Sequence, residues 1–180
     1  LNGLLAGTVD NLKLRQFALG FGQKSILRGD FDFVGLPNID RTQMDFNMKQ
    51  SVFIPADLAV FISKSAADKM NILGAVSFGG KFKGTNVDFQ TSGQLNTGLG
   101  YMEGDVRMHL KDSMALSGYD GFVKLRKFKL GRLLNLEDYL GTIDLEAKLK
   151  GTGFSNQSAN VDFNGQISEL FFNRYGYKRV

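Results

Sequence analysis

Residues 74–97 read GAVSFGGKFKGTNVDFQTSGQLNT, and this stretch decides the fold. Apolar side chains such as Val76 and Phe78 recur at even positions in its first half, with small or polar side chains between them. The alternation breaks at residues 84–86 and resumes with Val87 and Phe89. A period of two is typical of a β-strand with one apolar face. The stretch therefore predicts two strands joined by a short turn.

The same pattern returns later in the chain. Residues 140–167 repeat residues 73–97: the run LGAVSF resembles the later LGTIDL, and NVDF occurs in both. We therefore treat residues 1–180 as a single repetitive domain. Because the chain begins at Leu1 without a methionine or a signal segment, we expect it to be part of a longer protein.

Composition excludes several classes of protein. There is no cysteine, so neither a disulfide framework nor a thiolate metal site is possible. No apolar run approaches the roughly 20 residues of a membrane-spanning helix. The net charge of +4 comes from scattered Lys and Arg beside acidic residues, so we expect no nucleic acid partner. The chain has 22 Gly, 2 Pro, 16 Phe and no Trp, which favours a dry aromatic face and a strongly curved sheet.

The alternating segments predict about eleven strands of ordinary length. Their links are mostly short, and parallel strands need long crossovers, so the sheet should be largely antiparallel. Residues 55–62 predict a short helix, and residues 131–134 predict one helical turn. The phase of the alternation slips near Arg126, which predicts a β-bulge.

The apolar face of the sheet must be shielded from water, and the sequence pattern alone allows four arrangements that do so. The sheet can fold on itself as a sandwich, or close around a small ligand as a soluble barrel. It can close with its apolar face outward in an outer membrane, although the mid-row Phe and missing Trp disfavour this arrangement. It can also curl into an open trough whose apolar face is covered by lipid.

No constellation of residues predicts an enzyme, a metal site or a cofactor. His109 is the only histidine and falls on the polar face. The aspartates recur about once per strand on that face, as solvated charge does. The basic run at residues 124–129 is either exposed strand or a contact to lipid headgroups at a rim.

Several short motifs together resemble the TamB family of bacterial envelope proteins, in the form found in Bacteroidetes-type bacteria. These motifs are LRGDF (27–31), GLPNI (35–39), MDF (44–46), Asp57-Leu58, the glycine-rich strand 74–84, VDF (87–89), LNT (95–97) with Leu99-Gly100, and FKLGRLL (128–134). Each motif is weak alone, and their order and spacing carry the resemblance over nearly the whole chain.

The resemblance implies an all-β fold, with a curled, mostly antiparallel sheet forming an open hydrophobic trough. It implies a periplasmic location within a longer protein anchored in the inner membrane, and a BamA-like outer-membrane barrel as partner. The implied function is to carry phospholipid acyl chains during outer-membrane biogenesis. The alternative is a scaffold or chaperone that assists outer-membrane protein assembly by strand augmentation.

The alternating apolar residues are the predicted lining of the groove, and the four methionines among them suit variable chains. The predicted lining residues are Phe17, Leu19, Phe21, Phe31, Phe33, Met44, Phe46, Met48, Val76, Phe78, Phe82, Phe89, Leu95, Met102, Val106, Met108, Ile143, Leu145, Leu149, Val161, Phe163 and Ile167.

Overall fold

The computed structural model describes residues 2–60, 70–113, 115–153 and 158–178, and about two-thirds of them belong to one antiparallel β-sheet. The strands are β1 (Asn2–Thr8), β2 (Asn11–Phe21), β3 (Ser25–Val34), β4 (Gln43–Phe53), β5 (Val76–Gly84), β6 (Asp88–Thr97), β7 (Gly100–His109), β8 (Gly118–Lys129), β9 (Leu140–Thr152), β10 (Asn160–Phe172) and β11 (Tyr175–Lys178). Two 3₁₀ helices, Pro55–Val60 and Asn71–Leu73, lie between β4 and β5, and α1 (Leu130–Leu134) lies between β8 and β9.

The described strands pair in the order in which they occur in the chain, from β1 to β11, and every pair is antiparallel. This meander follows from the short links, because tight turns can join only antiparallel strands. β1 and β11 lie at opposite ends of the sheet, so the sheet is open. The predicted all-β fold, a curled antiparallel sheet with short helical inserts, is confirmed.

The predicted irregularities are also found. The register between β8 and β9 shifts between Leu125 and Phe128, and Lys127 has a φ of 46°, which is the bulge predicted near Arg126. The helical turn predicted at residues 131–134 is α1. The helix predicted over residues 55–62 is a 3₁₀ helix as far as Val60, and residues 61–69 lie outside the described part of the chain. Sequence patterning assigned no strand to the short β11.

Two bulges are stabilised in the same way, by a hydrogen bond from a backbone N–H to an aspartate on the neighbouring strand. Gln16 in β2 has a φ of 49°, and its N–H donates to a carboxylate oxygen of Asp30 at 2.8 Å. Lys127 in β8 has a similar φ, and its N–H donates to the carboxylate of Asp144. A bulge leaves a backbone donor outside the ladder, and here a neighbouring aspartate accepts its hydrogen bond. These two aspartates therefore do more than supply the solvated charge that the sequence analysis assigned to them.

The best-packed core lies at one end of the strands, beside the helical segments. Its buried members are Leu99, Leu125, Phe128, Ile143, Leu145 and Ala147. Ile72 and Leu73 of the second 3₁₀ helix and Leu130 of α1 pack against this cluster. Backbone hydrogen bonds hold the same corner, from Gly98 N to Leu73 O and from Lys129 N to Leu99 O, both at 2.7 Å. The apolar face is thus covered at this corner by the protein itself.

Candidate functional site

Cross-strand pairing sorts the side chains into rows that run across the sheet. A residue and its direct partner on the next strand project from the same face, so a row can be followed from strand to strand. One row, named here the phenylalanine row, crosses ten strands. Its members are Leu5, Leu14, Phe31, Phe46, Phe82, Thr91, Val106, Gly121, Leu149 and Phe163. This register makes one face of the sheet apolar over nearly its whole width.

Aromatic rings on this face form a chain of contacts from β2 to β6. Ring centroids lie 6.0 Å apart between Phe17 and Phe31, 5.2 Å between Phe31 and Phe46, and 5.5 Å between Phe46 and Phe82. Phe82 stacks on Phe89 at 4.8 Å. Such pairs stabilise a sheet by about 0.5–1.5 kcal/mol each beyond the area they bury. The aromatic side chains therefore line the face as one connected surface.

Every residue that the sequence predicts as groove lining lies on this face by strand register. Their exposure differs along the sheet. Most are half-buried, as expected of a lining open on one side. Phe31, Val76, Ile143 and Leu145 are buried, so they offer little surface to a guest. Val161 and Phe163, near the far end of the sheet, are 45% and 46% exposed.

The first strands of the two copies of the internal repeat, β5 and β9, occupy equivalent positions in the sheet. Gly84 and Gly151 lie in one row, which also contains Phe89 and Val161. The second strands of the two copies, β6 and β10, are offset by two residues. Phe89 lies in the row of Gly84, whereas the equivalent Phe163 pairs with Leu149 in the phenylalanine row. An offset of two preserves the face of every side chain, and it changes only the row.

A second row on the apolar face contains little side-chain volume and is named here the glycine row. Its members, from β2 to β10, are Phe17, Gly29, Met48, Gly80, Gly93, Gly104, Val123, Ala147 and Gly165. A Cβ on Gly80 would lie 2.2 Å from the carbonyl oxygen of Ser92, and one on Gly165 would lie 2.3 Å from that of Glu146. The backbone is thus too close on both strands for any side chain at these positions.

Sequence reasoning missed this row, because it interpreted the glycines as turns and curvature. A row becomes visible only when the register of several strands is known. From Gly80 to Gly104 the row forms the floor of an open hollow of about 120 Å³, with Met48 and Val123 at its two ends. Phe78, Leu95 and Met102 line one side of the hollow, and Thr91 and Val106 line the other.

The hydroxyl groups beside the hollow are already hydrogen-bonded to backbone. Thr91 Oγ1 donates to the carbonyl oxygen of Lys81 at 3.1 Å. Ser51 Oγ, on the same face, donates to the carbonyl oxygen of Lys49 at 2.8 Å and accepts a hydrogen bond from Arg28 N at 2.9 Å. The hollow therefore presents hydrocarbon and backbone that is engaged in the sheet.

The opposite face carries the charged side chains. Lys83 Nζ lies 3.6 Å from a carboxylate oxygen of Asp45, and Arg15 forms a two-pronged ion pair with Asp32. The hydrogen bond from Arg15 is the main cause of a lowered pKa at Asp32. Exposed pairs of this kind contribute little to stability and keep the outer face solvated.

The titratable residues singled out in the sequence all lie in this charged surface. His109 Nδ1 is 3.1 Å from a carboxylate oxygen of Asp88, and both side chains are about half exposed. In the basic run, Lys124 and Arg126 both lie 3.3 Å from Glu146, and Lys129 Nζ donates to the carbonyl oxygen of Gly98. These cations are therefore partnered within the sheet.

Within the described ranges, no cluster of three or more acidic or histidine side chains is arranged to hold a metal ion. The helices that the structure describes are too short and too polar to cross a membrane. Comparison with protein-family models, curated proteins and solved structures finds no match for this chain. The resemblance to the TamB family therefore stays a prediction, and the geometry of the apolar face is the observation that bears on function.

Proposed function

We propose that this chain is a periplasmic segment of a TamB-like protein that carries phospholipid acyl chains along its apolar groove in outer-membrane biogenesis. One observation carries the proposal. The apolar face extends across ten strands, and outside the buried corner most of its side chains remain half-exposed on an open sheet. A soluble protein rarely leaves so large a connected apolar surface unless something binds to it.

The energetics of hydrocarbon burial support a role in transport. Each methylene removed from water contributes about 0.8 kcal/mol, so ten shielded methylenes contribute roughly 8 kcal/mol before the cost of ordering the chain. Binding of this kind needs no hydrogen-bonding code and is spread over many weak contacts. A chain held in this way can move along the groove, because no single contact dominates.

The side chains of the groove suit guests of varied length and saturation. Met44, Met48, Met102 and Met108 all lie on the apolar face and are half-buried. Methionine is flexible and polarizable, so it adapts to irregular apolar partners. In this proposal the segment belongs to a longer protein anchored in the inner membrane. The outer-membrane partner is a BamA-like barrel, as the resemblance implies.

The open edges favour the alternative, a scaffold that receives unfolded outer-membrane strands. All residues of β1 and β11 are exposed, including Leu4, Leu5 and Tyr175 at 68–70%. An unpaired edge is a template for an added strand, and its main-chain groups bind without regard to sequence. This function uses the edges of the sheet, whereas lipid transport uses its face.

Site-specific photocrosslinking tests the lipid proposal. A crosslinker placed at Phe46, Phe89 or Met108 on the apolar face should label phospholipid. The same crosslinker at Asp45, Asp88 or Arg107 on the opposite face is the matched control, since each control lies next to its test position in the same strand. Lipid labelling from the control positions alone, or equally from both faces, would contradict the proposal.

A further inference from the structure

The glycine row gives the apolar face a narrow track within a wider surface. From β5 to β7 its members are Gly80, Gly93 and Gly104, which contribute no side chain. The rows on either side lie four residues apart along a strand, which is roughly 13 Å between their Cα atoms. Side chains rise from both of these rows, so the space between them is a trough one residue row wide.

The floor of this track is backbone that cannot bind a polar guest. Neighbouring strands approach closely there, with the position of a Cβ on Gly93 only 2.3 Å from the carbonyl oxygen of Gly79. The N–H and C=O groups of these strands belong to the antiparallel ladder of the sheet. The two hydroxyls beside the track, those of Ser51 and Thr91, are also engaged with backbone.

These features discriminate between possible occupants. A polypeptide in the track would lose water from its own N–H and C=O groups and would find few partners, which costs several kcal/mol at each group. A hydrocarbon chain has no such groups to satisfy. A ring system or a branched chain is broader than one side-chain row and would have to lie above the flanking side chains.

From this geometry we infer that the glycine row is the track of a single linear acyl chain, and that it selects unbranched chains over branched or polycyclic lipids. The inference rests on the proposed function and adds the path and shape of the guest. From Gly80 in β5 to Gly104 in β7 the track is roughly 10 Å long, at about 4.8 Å per strand. The chain lies across the strands, parallel to the row.

Filling the track tests this inference. Val123 follows Gly104 in the row, and its side chain lines the hollow. Val123→Phe places an aromatic ring in the track, whereas Leu12→Phe adds an aromatic ring on the same face two rows away, at a position outside the predicted lining. The probe is a linear long-chain fatty acid with a terminal diazirine. Labelling of the purified chain is competed by unlabelled linear or methyl-branched fatty acids of equal carbon number.

We expect Val123→Phe to weaken binding of the linear fatty acid about tenfold, equivalent to about 1.4 kcal/mol, and Leu12→Phe to change it less than about threefold. The branched competitor should bind the unmodified chain more weakly than the linear one. Circular dichroism confirms that each variant folds. If Val123→Phe does not fold, Leu95→Phe narrows the track from its wall instead.

Two outcomes overturn the inference and leave the proposed function standing. The first is equal loss of binding in Val123→Phe and Leu12→Phe, and the second is equal competition by linear and branched chains. Failure of any acyl probe to label the unmodified chain overturns the proposed function as well.

Discussion

Asp57 is the residue on which the attachment of the helical insert to the sheet depends. Its carboxylate accepts hydrogen bonds from Ser25 Oγ at 2.7 Å, Gln23 N at 3.0 Å and Lys24 N at 3.3 Å. A Cβ on Gly22 would lie about 2.1 Å from the same carboxyl group, and Gly22 has a φ of 59°. The turn between β2 and β3 is therefore shaped around this anion, and only glycine fits at its start.

The hydrogen bonds of Asp57 predict an acid-dependent loss of stability. The hydrogen bond from Ser25 and then that from Gln23 lower the pKa of Asp57, so folding favours its ionised form. A group with a lowered pKa stabilises the fold at neutral pH, and this contribution is lost as the pH falls below about 4. Asp57→Asn should lower the midpoint of thermal unfolding at pH 7 and reduce the difference between pH 7 and pH 3.

Thermal unfolding followed by circular dichroism at several pH values measures this effect. Asp162→Asn, on the outer face of β10, is the matched control. It should leave both the midpoint and its pH dependence close to those of the unmodified chain. Equal pH profiles for Asp57→Asn and the unmodified chain would show that the carboxylate does not hold the insert.

At the scale of single elements, the strands depend on close backbone contact along the glycine row. Gly79 and Gly80 are neighbours in β5 and project from opposite faces. A Cβ on Gly80 would lie 2.2 Å from the carbonyl oxygen of Ser92, whereas a Cβ on Gly79 would lie no closer than 3.6 Å to any neighbour. A methyl group would therefore clash at Gly80 and fit at Gly79.

We expect Gly80→Ala to destabilise the protein by about 2–3 kcal/mol, because the β5 and β6 backbones have to move apart. Gly79→Ala should stay within about 0.5 kcal/mol of the unmodified chain, since its methyl group meets only ordinary contacts. Urea unfolding of the two variants measures the difference. Equal losses of stability would mean that the close approach of β5 and β6 is not a feature of the folded protein.

A helix, strand or bulge could be predicted from the sequence where the pattern that marks it lies within one segment of the chain. Alternation reports which face a side chain occupies, so the side chains of the apolar face, the bulge near Arg126 and the turn that forms α1 could all be predicted from the sequence. The hydrogen bonds of Asp57 and the glycine row could not be predicted, because each brings together residues that are far apart in the sequence. β11 is only four residues long and lacks a clear alternation, so local pattern gave no signal for it.

At the scale of the whole molecule, the sheet is open, and among the described residues its apolar face is covered at one corner. The cluster around Phe128 and Ile143 is dry and packed against α1 and the second 3₁₀ helix, whereas the phenylalanine row from Phe46 to Val106 remains half-exposed. Of the four ways to cover an apolar face, a single open sheet is the one found. Sequence pattern could not choose among them, because every one gives the same alternation along a strand.

The openness of the face is also what makes the proposed function testable on the purified chain. A face that binds acyl chains should retain them during gentle purification, because release would expose both the face and the acyl chain to water. An edge that binds strands should instead retain peptide. The two functions therefore predict different bound material in one sample.

Solvent extraction of the purified chain, followed by mass spectrometry of the extract, is the measurement that tests the central claim most directly. We expect phospholipid at a level comparable to that of the protein, and less of it in Val123→Phe than in Leu12→Phe. Bound peptide without phospholipid, or an extract with neither, would contradict the claim that the apolar face holds acyl chains.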